Sequence, residues 1–242
     1  MARTDLGRQR DRNEDTFAVD DRLGLYSVCD GMGGHAAGEV AASVALEAAW
    51  RTIRQRPWIV AGGQAPLDAL TRLLDRAVAA ANADVYALAQ EYEPYRGMGC
   101  TLTMLLATPQ RAALASVGDS RFYLVRQGRA RQLTLDHTVG QELVAAGVVP
   151  IEDIGKHRYA RLLSRAIGVE PRVRADVLGV QLAAGDRFVI CTDGLSDYVH
   201  SAEQLAQLVQ DGSIEEVVAR LVGFANEAGG RDNITTVVGQ VE

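Results

Sequence analysis

Residues 101–133 read TLTMLLATPQRAALASVGDSRFYLVRQGRARQL. Thr101 to Thr108, Ala112 to Val117 and Arg121 to Val125 carry the apolar and β-favouring content of three consecutive strands. Gln127-Gly128 predicts a hairpin turn, and Ala130 to Leu133 a return strand. The strands follow one another with no helix between them, so they do not read as βαβ units.

Working outward, the flanks change period. Thr16 to Asp20 and Leu23 to Asp30 read as two short strands around a tight turn at Asp20-Asp21. Ala36 to Arg56 is dense in Ala, with Val40, Val44 and Ala48 four apart, and predicts a helix that Pro57 stops. After the loop Gly62-Gly63-Gln64-Ala65-Pro66, a second long helix is expected from Pro66 to Tyr92, with Leu67, Leu70, Leu74, Val78, Ala81, Val85 and Leu88 in one stripe.

On the other side, Asp136 or Thr138 could cap a short helix through Ala146. Gly147 to Gly168 is weakly periodic and reads as an exposed excursion. Strands return at Val173 to Gln181 and Arg187 to Thr192, around a turn at Ala184-Gly185-Asp186. Ser201 to Gln210 and Ser213 to Glu227 are helices, the second with the capping-box spacing of Ser213 and Glu216. Ile234 to Val241 closes the chain as a strand. The order is strands, helix pair, strands, strands, helix pair, strand. It predicts an α+β fold: a four-layer α-β-β-α sandwich of two largely antiparallel sheets with a helix pair outside each. No linker or internal repeat divides residues 1–242, so a single catalytic domain is expected.

Composition narrows the function classes. Of 242 residues, 48% are hydrophobic and only 5% aromatic, so the core must rest on Ala, Val, Leu and Ile. A net charge of −6 with no basic stripe argues against nucleic acid as the main partner. There is no run of roughly 18 apolar residues to span a membrane, and Met1 to Asp5 lacks the apolar stretch of a secretory signal. Cys29, Cys100 and Cys191 sit in apolar segments without C-x-x-C spacing, as reduced core thiols of a cytoplasmic protein would.

The chemistry lies in acidic residues held in turns, most of them glycine-marked, from end to end of the chain: Asn13-Glu14-Asp15, Asp30-Gly31-Met32-Gly33-Gly34-His35, Gly118-Asp119-Ser120, Thr192-Asp193-Gly194 and Arg231-Asp232-Asn233. Most stand beside predicted strand ends. Carboxylates that converge without a cationic neighbour repel one another, and a hard dication with oxygen ligands is the usual remedy. At Asp30-Gly31, a metal could be reached by the side chain and by the Gly31 carbonyl. Each motif also has a structural alternative: a helix cap or phosphate cradle at Asp30, a type I turn at Asp193, an Asx turn at Asp232, a hairpin cap at Asp119. Their joint occurrence favours the metal.

Arg10, four residues before Glu14, offers a guanidinium fork suited to two phosphoryl oxygens, or to a structural salt bridge. No cysteine is followed by Arg six residues later, there is no D-x-D, and there is no G-x-x-x-x-G-K-[ST]. A covalent phosphoenzyme therefore lacks an obvious nucleophile, which leaves a metal-activated water acting on a phosphate ester.

These residues resemble the metal-dependent Ser/Thr protein phosphatases of the PP2C or PPM type, in their bacterial form. The motifs run in order: Gly7-x-x-Arg10-x-x-Asn13-Glu14-Asp15, Val28 to His35, Gly97-Met98-Gly99-Cys100-Thr101-Leu102-Thr103, Val117-Gly118-Asp119-Ser120-Arg121, Leu133-Thr134-x-Asp136-His137, Cys191-Thr192-Asp193-Gly194-Leu195 and Asp232-Asn233-Ile234-Thr235. The resemblance implies a binuclear Mn²⁺/Mg²⁺ centre whose activated water hydrolyses phosphoserine and phosphothreonine, opposing a bacterial Ser/Thr kinase. It makes Asp30, Asp193 and Asp232 direct ligands with the Gly31 carbonyl, and Glu14 and Asp15 ligands through water. Asp119 with Asp193 would form a third-metal site, and Arg10 would bind phosphate. Residues 139–164 would be a mobile flap. Family members from eukaryotes place His directly after Asp-Gly as a proposed general acid; here that position is Met32. His35, or His157 in the flap, are the candidate substitutes, with a metal-bound water as the alternative. A pseudo-phosphatase that only binds phosphoproteins would be marked by loss of a ligand Asp, and none is lost. A structural Ca²⁺ protein would pack its ligands into one loop, and no such loop occurs. A relative acting on an anti-sigma-factor antagonist would often vary Arg10 and the third-metal Asp, and both are kept. A monomer is expected, since no heptad pattern is present.

Overall fold

The computed structural model describes residues 1–33, 37–56, 65–108 and 111–242. Among them, one sheet has the strand order β1-β11-β10-β7-β8, formed by Ala2–Asp5, Ile234–Gln240, Arg187–Cys191, Arg121–Arg126 and Arg129–Gln132. The second has the order β2-β3-β5-β6-β9, formed by Asp15–Asp20, Leu25–Met32, Leu102–Ala107, Ala112–Val117 and Asp176–Val180, with the short β4 (Gly99–Cys100) added to β3. Every pairing is antiparallel. Two long helices, α1 (Ala37–Arg54) and α2 (Leu67–Glu91), cover the second sheet. The first sheet is covered by α5 (Ala202–Gln210) and α6 (Ile214–Glu227). The shorter α3 (Val139–Ala145) and α4 (Asp193–Ser196) lie in connections. The four-layer expectation holds.

Strand alternation sorts side chains between layers. On β3, Leu25 and Cys29 face the helices, while Tyr26 and Val28 face the opposite sheet. On β10, Val189 and Cys191 face α5 and α6, while Phe188 and Ile190 point inward. The inter-sheet layer is small and built around Phe122 and Phe188, stacked with ring centroids 5.9 Å apart, with Tyr26 edge-on to Phe188 at 5.0 Å. Full burial of such side chains is worth about 1.5–3 kcal/mol each. The aromatic residues, few as they are, thus join the two sheets. All three cysteines are buried free thiols.

Several boundaries differ from expectation for identifiable reasons. β1 is not legible in the sequence, because Ala2-Arg3-Thr4-Asp5 has no apolar alternation; pairing with β11 creates it. β3 extends through Gly31 and Met32, so Asp30 stands within the strand rather than in a turn after it. Residues 99–107 divide into two strands at Thr101. The helix after Asp136 is capped by Thr138, whose hydroxyl accepts from the Gln141 N–H; Asp136 is instead gripped bidentately by Arg121. The expected capping box at Ser213 and Glu216 forms. Most of the loop expected between the two long helices, including Pro57, lies outside the described residues.

Candidate metal centre

Along the layer between the sheets, side chains change character toward one end of the sandwich. The centre holds Val28, Leu105, Leu114, Phe122, Ile190 and Val237. One strand position further on, the same inward face carries buried hydroxyls: Thr101, Thr103, Ser116, Ser120, Thr192 and Thr235. These bond to one another and to the backbone, with Thr101 Oγ1 2.7 Å from Ser120 Oγ and the Thr103 hydroxyl donating to Ser120 O at 2.9 Å. Beyond them come carboxylates. Asp15 and Asp30 are direct cross-strand partners of β2 and β3. Thr192 crosses between the sheets, donating to Asp15 Oδ2 at 2.8 Å and accepting from the Thr235 N–H at 3.0 Å.

Connections at this same end bring in the others. Asp119 sits in the β6–β7 turn, Asp193 opens α4 directly after β10, and Asp232 precedes β11. Asp30, Asp119, Asp193, Asp232, Glu14 and Arg10 all line one cleft of about 760 Å³. Asp15 is buried behind it, 9% exposed. Residues 161–166, 169, 170 and 172–174 line the same cleft.

The glycines beside the acids have a packing role that the sequence reading did not assign. A Cβ on Gly31 would stand 2.1 Å from the Gly38 carbonyl oxygen, and one on Gly194 would stand 1.9 Å from the Asn233 carbonyl oxygen. A Cβ on Gly38 would enter the Glu14 carboxylate, 2.7–2.9 Å away. Acid-bearing segments therefore approach one another at backbone distance, which only glycine allows.

Asn233 is a second organiser. Its side chain accepts from the Glu14 N–H at 2.8 Å and donates to Leu6 O and Arg12 O at 3.0 and 2.8 Å, clasping the loop that carries Arg10 and Glu14. A third is His137, 2% exposed. Its Nδ1 accepts from the Gly118 N–H at 3.1 Å, and its Nε2 lies 3.1 Å from Asp176 Oδ2, beside Arg165. An acceptor Nδ1 requires the proton on Nε2, so the geometry fixes the tautomer. His137 joins the Asp119 turn to the base of the flap, where its carbonyl also accepts from the Ser164 N–H. The motifs contained these residues, but their roles depend on contacts that spacing alone does not reveal.

Electrostatics register the crowding. Burial, then the charges of Asp193 and Asp232, hold Asp15 up at about 7. Burial, then Asp193 and Asp136, hold Asp119 at about 7. Asp193 is raised to about 6 by burial and by Asp232 and Asp197. Asp30 is pushed well above the usual carboxylate range by burial, then by Asp15, Asp193, Asp119 and Asp232. Glu14 is raised by burial. Desolvation and like charges together disfavour ionisation.

The donor set fits hard dications. It is all oxygen, it converges from separate segments, and Asp193 Oδ1 is buried with no hydrogen-bond partner. The arrangement is looser than a finished cage, since no three His, Cys, Asp or Glu side chains among the described residues stand in metal-holding geometry. Arg10 Nη2 sits 2.6 Å from Asp232 Oδ2. Arg10 thus takes up the salt-bridge alternative in this structure, within the same cleft.

Of the two histidines proposed as acids, His35 lies outside the described residues. His157 lies in the excursion 139–164, its ring 6.0 Å from that of Tyr159, and does not line the cleft. The excursion 139–164 is joined at its base by a bridge between Thr138 and Leu163 and by the Val139 N–H donating to Leu162 O at 2.8 Å. Arg161 ties its returning limb to Asp197 beside α4.

The family model for protein phosphatase 2C matches residues 7–237. The chain belongs to the protein phosphatase 2C family. It is 39% identical over 243 residues to the serine/threonine protein phosphatase PstP of Mycobacterium tuberculosis, covering 99% of this chain and 44% of that protein. It therefore spans less than half the length of those mycobacterial relatives. It is 33% identical to the serine/threonine phosphatase stp of Listeria innocua, covering 98% of this chain and 93% of that one. Among solved structures, the M. tuberculosis PstP/Ppp phosphatase superposes with a TM-score of 0.89 at 37% identity, covering 100% of this chain and 97% of the other. The catalytic domain of PstP in complex with two manganese ions gives a TM-score of 0.85 at 35% identity, with the same coverage.

Proposed function

We propose that this protein phosphatase 2C domain is a metal-dependent protein serine/threonine phosphatase. The observation that carries the reading is the convergence of Glu14, Asp30, Asp119, Asp193 and Asp232 on one cleft beside Arg10. Asp30, Asp193 and Asp232 with the Gly31 carbonyl would hold two Mn²⁺ or Mg²⁺ ions. Glu14 and Asp15 would act through water, and Asp119 with Asp193 would serve a third site. Bound dications would lower the pKa of water and so supply the nucleophile at neutral pH.

The protein's own part is placement. The carboxylates orient that water by accepting its hydrogen bonds, and Arg10 offers a fork for two non-bridging phosphoryl oxygens. Arg10 is half exposed and bound to Asp232 by an ion pair of the kind worth at most about 1 kcal/mol, so turning it toward a phosphoryl group is inexpensive. The general acid is left to His35, to His157 or to solvent. Residues 1–242 would act as one catalytic domain with residues 139–164 as its flap, as a cytoplasmic monomer on phosphoproteins made by a Ser/Thr kinase. Among the described residues, no helix is long and apolar enough to cross a membrane. A binding-only reading is not favoured, because every candidate ligand is present.

The test is hydrolysis of phosphoserine and phosphothreonine peptides with added Mn²⁺. Activity should vanish in chelator and fall at least 100-fold in Asp193→Asn. Chelator-resistant turnover, or near-normal turnover by that variant, would sink the reading.

A further inference from the structure

The cleft that holds the carboxylates is also lined by a basic wall, drawn from residues 161–174. Arg165 is committed there, pairing with Asp176 Oδ1 at 2.9 Å. Arg161 is committed to Asp197. Arg172 and Arg174 line the same cleft, are exposed, and make no hydrogen bond or ion pair with another described residue. Glu170 is the one acidic side chain on that wall. The chain as a whole carries a net charge of −6, so two free guanidinia in this cleft stand against its overall sign.

We infer that Arg172 and Arg174 form a subsite for an anionic side chain flanking the phosphorylated residue, so that the preferred substrates are phosphopeptides carrying an acidic or second phosphorylated residue near the scissile one. The inference rests on the phosphatase reading and specifies its substrate class. The scissile phosphoryl group belongs with Arg10 and the dications, which would neutralise it. The unpaired guanidinia of the basic wall are then left to be matched by charge elsewhere on the peptide. Carboxylates and phosphates both suit the planar donor fork of a guanidinium, phosphate more strongly because it carries more charge. The carboxylates repel anionic flanks, so the unpaired guanidinia of the basic wall are the groups that favour them.

The experiment compares kcat/KM for a set of phosphothreonine peptides with Mn²⁺ at low ionic strength. Alanine flanks form the parent peptide. Paired Asp residues, or one additional phosphoserine, are placed two to four residues to either side. Exposed ion pairs of this kind give roughly a two- to tenfold preference for anionic flanks, expressed mainly in KM and diminished by salt. Arg172→Ser/Arg174→Ser should abolish the preference while leaving turnover of 4-nitrophenyl phosphate unchanged. Equal kcat/KM for acidic and alanine peptides in the natural protein, or a preference that survives in the double variant, overturns the inference. A response to carboxylate and phosphate alike assigns acidic segments; a response to phosphate alone assigns doubly phosphorylated ones. If the natural protein with Mn²⁺ does not hydrolyse 4-nitrophenyl phosphate, the phosphatase reading falls by itself. The basic wall is then decided by fluorescence anisotropy with the same peptides: the double variant must bind the anionic ones more weakly, and equal binding refutes it.

Discussion

Asp119→Asn should stabilise the metal-free protein, and do so increasingly as pH rises. Asp119 is held at about 7 against an ordinary 3.8, first by burial and then by the charges of Asp193 and Asp136. A carboxyl whose folded-state pKa is raised keeps a proton that the unfolded chain releases. Its contribution is therefore undiminished below about 3.8, is lost progressively as pH climbs, and is fully lost above about 7. At about 1.4 kcal/mol per pKa unit, the complete loss is on the order of 4 kcal/mol. Part of that is already incurred at pH 5, so the advantage of the variant should widen by roughly 2–3 kcal/mol between pH 5 and pH 8. For a chain of this size that is roughly 5–10 °C in Tm. Asn keeps the shape of Asp and cannot ionise. The assay is thermal melting of both proteins in EDTA at several pH values, repeated with Mn²⁺. The ion should erase the advantage at pH 8 by supplying the missing counter-charge. A difference that does not vary with pH in EDTA, or a variant that is less stable at pH 8, would refute the electrostatic account of the cleft.

Other substitutions probe the framework. Gly31→Ala places a methyl 2.1 Å from the Gly38 carbonyl oxygen and should cost more than about 3 kcal/mol in denaturant titration, where an ordinary exposed strand Gly→Ala would not. Thr192→Val removes the donor to buried Asp15 and the acceptor of the Thr235 N–H, and should cost about 1–3 kcal/mol by the same measurement. His137→Ala leaves the Gly118 N–H and Asp176 without their shared partner, at a similar cost. Hydrogen exchange in that variant should show faster opening of both the Gly118 turn and the base of the flap.

How much of this was legible depended on the kind of signal. The short apolar, β-favouring runs of Leu102 to Ala107 and Ala112 to Val117, and the long stripe from Leu67 to Leu88, are local, and the fold follows from them. β1 was not legible because its order comes from β11, more than 200 residues away. α4 was missed because four residues are too few to show a helical period. Asp30, Asp119, Asp193 and Asp232 could be picked out by their repeated setting. Their partners could not: Thr192, Thr101, Asn233 and His137 act through bonds to segments distant in sequence. Arg10 lies 2.6 Å from Asp232, but whether it faces phosphate or Asp232 is decided by charge, not spacing.

The inter-sheet face links these parts into one argument. From Phe17 and Val28, directly opposite each other, the same face of β2 and β3 runs to Asp15 and Asp30, also directly opposite. Like charges in that relation destabilise a pair of strands, and a slip of one residue would move both to the helix-facing side. Against that repulsion, the observed register has local support from the Thr192 bond to Asp15. It is fixed by the apolar half of the same face, where Tyr26, Val28 and Phe17 pack against the layer around Phe122 and Phe188. The buried hydroxyls between the two halves let the face pass from oil-like to ionic without leaving a donor unpaired at Thr101, Thr103 or Thr192. The core thus imposes on the acids a proximity they would not adopt by themselves, and the cost falls due at high pH in the absence of dications. That is why a change at Phe188, well inside the sandwich, should loosen the acidic cleft as well as the core, whereas a change on the helix-facing side of the same strand should loosen the core alone.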